Sequence, residues 1–125
     1  MTKTTLPILL IFVSSLACAQ VIGYGPAKVF LDIGPAGYTE TWADTTLQLH
    51  HGGKTQLYFV DRKVVRHVMI MSNFNLWRSE RNLRKYWRND GQWYINAHTQ
   101  CRVIRQEESY VECIRVPEKT AEKAK

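Results

Sequence analysis

The sequence predicts an α+β fold: a small antiparallel β-sheet with one amphipathic helix (about residues 75–89) and a disulfide-stapled C-terminal hairpin. Three observations predict it. Short runs of β-branched and aromatic residues recur between turns marked by Gly and Pro. One stretch, Asn75 to Arg88, carries apolar residues at helical spacing. Two cysteines, Cys101 and Cys113, fall opposite each other when the last two runs are folded back on one another. At 125 residues, 45% hydrophobic and 11% aromatic, the chain suffices for one domain with its own core.

Residues 1–19 read as a secretory signal peptide. Lys3 precedes the apolar run Leu6–Leu16, and Ala17-Cys18-Ala19 has the small-x-small pattern of a cleavage site. The run is shorter than the roughly 20 residues a spanning helix needs. No transmembrane span is expected in the mature chain. Ser15-Leu16-Ala17-Cys18 also resembles a bacterial lipoprotein cleavage box, which would make Cys18 a lipidation site; Ser15 stands where that box usually has Leu. Residues 20–116 are then a single domain.

Gln20 to Gly37 is rich in Gly and Pro, with Lys28–Ile33 as a short strand candidate. Tyr38–Trp42 alternates as an edge strand. Thr45–Leu49 and Gln56–Val60 flank His50-His51-Gly52-Gly53-Lys54, and the Gly pair suits a tight hairpin turn. The register of that pair is open by one residue. Val64–Met71 is the most apolar run of the mature chain and the expected central strand.

The helix follows. At about 100° per residue, Leu76, Leu83 and Trp87 fall in one stripe and five cations, Arg78, Arg81, Arg84, Lys85 and Arg88, on the opposite side. Asn73 and Asn75 can cap its start, and Asp90-Gly91 ends it. Gln92–Asn96 is a further strand. Thr99–Arg105 and Ser109–Val116 make the last pair. One register sets Cys101 against Cys113, Val103 against Val111, Ile104 against Tyr110 and Arg102 against Glu112. A slip of one residue loses all four. Residues 117–125 read as a charged, disordered tail.

The expected core is Leu47, Leu57, Phe59, Val64, Val68, Ile70, Leu76, Leu83, Trp87, Ile95, Val103 and Val111. Cleavage after Ala19 leaves two cysteines, and an even count in an exported chain implies a disulfide, although two buried thiols would also satisfy the pattern. No metal or cofactor is expected, because Cys and His lack ligand spacing. No internal repeat is visible.

The net charge of +6 is unevenly spread. Residues 62–88 hold eight cations and one anion, whereas residues 20–61 hold two cations and four anions. Trp77, Arg78, Arg81, Arg84, Lys85 and Arg88 therefore form the candidate binding face. It suits an anionic partner: an acidic protein, an anionic lipid headgroup or a glycan, with nucleic acid ranked below them. The functional expectation is a small exported, non-enzymatic binding protein of the cell envelope. The alternative is a small basic secreted nuclease or related hydrolase that uses His67 and His98, or a histidine with Glu40 or Asp44. No catalytic motif singles out any of these residues.

Overall fold

The computed structural model describes residues 21–116. The expected signal peptide, the lipidation reading of Cys18 and the expected tail at 117–125 lie outside the described residues. The described chain begins with α1 (Pro26–Ile33) and the meander β1 (Tyr38–Trp42), β2 (Thr45–His50), β3 (Thr55–Val60) and β4 (Lys63–Ile70). Then come α2 (Asn73–Tyr86) and a second meander: β5 (Arg88–Asp90), β6 (Trp93–Asn96), β7 (Thr99–Ile104) and β8 (Tyr110–Arg115). All eight strands join one antiparallel sheet in the order β1-β2-β3-β4-β8-β7-β6-β5. The described residues are mostly β, with two helices where the sequence predicts one. A helix followed by four strands occurs twice, a repeat of architecture that the residues do not display.

Lys28–Ile33, expected as a strand, belongs to α1. Pro26 stands in its first turn, where a missing N–H costs nothing. Gly34, at φ 104°, ends it by donating its N–H to the Phe30 carbonyl. Val29 is buried and Ile33 packs partly against the same cluster, one helical turn apart. Lys28 and Asp32 pair across the solvent side at 3.4 Å. Phe30 and Leu31, which made the segment look like a strand, are 60% and 79% exposed.

Opposed residues in an antiparallel sheet share a face. Both helices lie on one of the two. Under α1, Val29 and Val21 meet Leu57, Phe59 and Val64. Under α2, Leu76 and Leu83 meet Tyr94, Cys101, Val111 and Cys113. Cys101 and Cys113 are opposite each other and joined by a disulfide. β4 lies between β3 and β8. Its register shifts beside Tyr58 and Phe59, where a bulge lets Val64 follow Phe59 into the core.

Among the residues expected in the core, Leu47, Ile70, Trp87 and Val103 are only half-buried. Leu47 and Ile70 face away from the helices, through their pairings with Tyr58 and Tyr110. Val21, Val29, Tyr94 and Val116 are buried instead. The helix is also shorter at its end than expected. Trp87 is already extended (φ −115°, ψ 151°), and Arg88 starts β5. Asp90-Gly91 therefore belongs to the β5–β6 turn, with Gly91 at φ 64°.

Candidate docking surface

α2 is held by its inner side and its start. Leu76 and Leu83 are 2% and 5% exposed. The Ser72 hydroxyl caps the first turn by accepting from the Asn75 N–H at 3.3 Å. Lys85 and Arg84 lie in the last turn, where cations complement the helix dipole.

The outer side carries Phe74, Trp77, Arg78, Arg81 and Lys85, all within an arc of about 100° at helical spacing. Phe74 and Trp77 are 64% and 52% exposed, and their rings stand 6.3 Å apart. Arg78 lies over Phe74 at 6.0 Å, Arg81 over Trp77 at 5.6 Å and Lys85 over Tyr86 at 5.4 Å. Each cation thus shields an aromatic face while its own charge stays in water. No acidic side chain among the described residues makes an ion pair with Arg78, Arg81 or Lys85.

Two of the expected site residues are placed elsewhere. Arg84 pairs with Glu80 at 3.4 Å, and Glu80 also receives a forked contact from Arg105 at 2.6 and 3.0 Å. The hydrogen bonds from Arg105 hold the Glu80 carboxyl below its ordinary range, against the opposing effect of burial. Arg88 lies on β5 opposite Ile95, off the helix. The ridge is therefore Trp77, Arg78, Arg81 and Lys85, joined by Phe74. The helix expected from the sequence starts at Asn75 and so leaves Phe74 outside it; the helix begins at Asn73, which sets Phe74 at a helical angle beside Trp77 and Arg78.

The histidines do not gather. His50 is buried at the end of β2 and bonds Gln48 at 3.0 Å; His51 bonds Thr55 at 3.1 Å in the following turn. His67 is buried in β4 opposite Cys113, whereas His98 sits in the β6–β7 turn. Glu40 accepts from the Tyr38 hydroxyl on β1. Asp44 lines a cavity of about 330 Å3 with Pro26, Thr46, Gln48, Phe59, Asp61 and Arg62, and no histidine is in that lining. Among the described residues no group of three or more His, Cys, Asp or Glu is placed to hold a metal. No helix among them is long and apolar enough to cross a membrane.

A second charged cluster lies on the face of the sheet away from the helices. Glu112, 7% exposed, accepts from Arg66 Nε at 2.6 Å and from Arg102 Nε at 2.8 Å. Arg66 stacks over Tyr58 at 4.7 Å and Arg102 over Trp93 at 4.6 Å. Burial alone would raise the Glu112 pKa, but the hydrogen bonds and charges of the two arginines outweigh it and hold the carboxyl below its ordinary value. The sequence pairs Arg102 with Glu112 but offers no sign of Arg66, which arrives from a strand 46 residues away.

Comparison with protein families, with curated protein sequences and with solved structures finds no match to the chain.

Proposed function

We propose that the protein is a small exported, non-enzymatic binding protein of the cell envelope that docks on anionic lipid headgroups through the outer side of α2. The observation that carries this reading is the ridge itself: two exposed aromatic rings, Phe74 and Trp77, interleaved with three cations free of acidic partners among the described residues. A helix presents a convex rod, which suits a flat, yielding surface better than a pocket. Aromatic rings level with guanidiniums match the boundary between acyl chains and headgroups. The disulfide is compatible with an oxidising compartment.

Cosedimentation with vesicles tests the reading. Phosphatidylglycerol-containing vesicles should bind the protein, pure phosphatidylcholine vesicles should bind it weakly, and salt should loosen the former. A cation near an anionic surface contributes about 1 kcal/mol, so Arg81→Glu with Lys85→Glu should weaken binding well over tenfold. Binding unchanged by this reversal, or confined to an acidic protein with none to vesicles, overturns the proposal.

A further inference from the structure

The sheet face opposite the helices is apolar around a charged centre. Strand pairing places Leu47, Tyr58, Val68, Ile70, Ile104 and Ile114 there, with the two guanidiniums and Glu112 in the middle. Tyr38 and Trp42, on the same face of the edge strand, are 51% and 45% exposed. The two described helices pack on the opposite face.

Two arginines and one glutamate leave the centre with one net positive charge. Each guanidinium has five N–H donors, and the Nε contact to Glu112 uses one of them. Glu112 and the rings of Tyr58 and Trp93 hold the two guanidiniums in place, so little side-chain freedom remains to be lost on binding. Yet the Arg66 and Arg102 side chains are 36% and 30% accessible, within reach of a ligand. A fork of this kind matches a carboxylate.

We propose that this face docks a protein partner that presents a carboxylate within an apolar surround, received by Arg66 and Arg102 through N–H groups other than the Nε–H that each gives to Glu112. Three occupants compete, and the chemistry on the face separates them. A second copy would bring two positive centres together, which charge complementarity disfavours. An acidic glycan would stack its sugar rings on aromatic faces beside the arginines, but Arg66 and Arg102 already lie over Tyr58 and Trp93, and the exposed Tyr38 and Trp42 stand on β1, three strands from Arg66. Ile70, Ile104 and Ile114, each half-buried, offer aliphatic contact instead, as a protein interface requires. This surface is separate from the α2 ridge, so either proposal can fail alone.

The test uses the mature protein labelled for NMR and a blocked pentapeptide with one glutamate between two valines. Its glutamine counterpart is the control. The glutamate peptide should shift the Arg66 and Arg102 Nε–H signals and the methyls of Ile70, Ile104 and Ile114. It should bind about tenfold tighter than the glutamine peptide, the difference that one charge-assisted pair supplies. Arg102→Lys keeps the charge but not the fork, so it should remove most of that preference while the glutamine peptide binds as before. Equal binding of both peptides, or shifts absent from these residues, overturns the proposal. So does a response of the same signals to oligogalacturonate in place of the peptide, or to protein concentration alone.

Discussion

At the scale of single residues, strain and charge are concentrated in a few places. Ala43 and Ala97, in the β1–β2 and β6–β7 turns, have φ of 49° and 53°. A side chain with a Cβ is disfavoured there by roughly 1–2 kcal/mol, partly offset by the unfolded-chain freedom a glycine would add. Ala97→Gly should therefore raise stability by about 0.5–1 kcal/mol in urea unfolding. Asp61 and Arg62, both at positive φ, close the β3–β4 turn in the same region. None of these turns carries the Asn-Gly or Gly-Gly signature; Gly52-Gly53 alone shows it, and Asp61-Arg62-Lys63 is legible only as a polar break between two apolar runs. Glu112→Gln would take the charge from between Arg66 and Arg102. It should cost about 1–3 kcal/mol, read as a lower urea midpoint with unchanged slope.

At the scale of elements, α2 divides sharply between its sides. Leu83→Ala should cost about 2–5 kcal/mol, because it opens a cavity over the disulfide. Arg81→Ala should stay within about 0.5 kcal/mol, because its side chain lies over Trp77 on the exposed side. Thermal or urea unfolding of the two variants separates a structural side from a binding side. The β7–β8 pairing brings Cys101 to Cys113, and replacing both with Ala should cost about 3 kcal/mol. Its cysteine, apolar and charged cross-strand partners were readable because they sit close in sequence. The loop lacks Gly and Asn; the Ser109 hydroxyl closes it by bonding the Gln106 backbone at 3.1 and 3.3 Å. α1 was not readable as a helix. Phe30 and Leu31 raise its apolar content without being buried, and the informative residues were Pro26 at one end and Gly34 at the other. Trp87 follows the helical stripe by angle, yet the chain turns extended there to start β5.

At the scale of the whole molecule, acid should lower stability over two pH ranges. Burial, and then the charge of His51, hold His50 below its usual pKa of 6.5. The unfolded chain thus binds this proton more readily, and stability falls as pH drops below about 6.5. Glu80 and Glu112 are held below their usual 4.5, so the stability they contribute is full above that value and is lost as pH falls through their folded pKa values. Melting temperature should decline gently between pH 7 and 5 and steeply below about 4.5, and His50→Gln should flatten the upper part alone. The sheet order was the least legible property, since nothing local says that β8 returns to lie against β4. That return has a kinetic consequence. The β4–β8 seam is the one described strand pairing that joins the two meanders. Every other pairing links strands adjacent in the chain, and such contacts close early. The seam must instead wait for α2 and three further strands to find their places. Two locally formed halves, and then a slower zipping of β8 onto β4, is the folding order that this topology dictates.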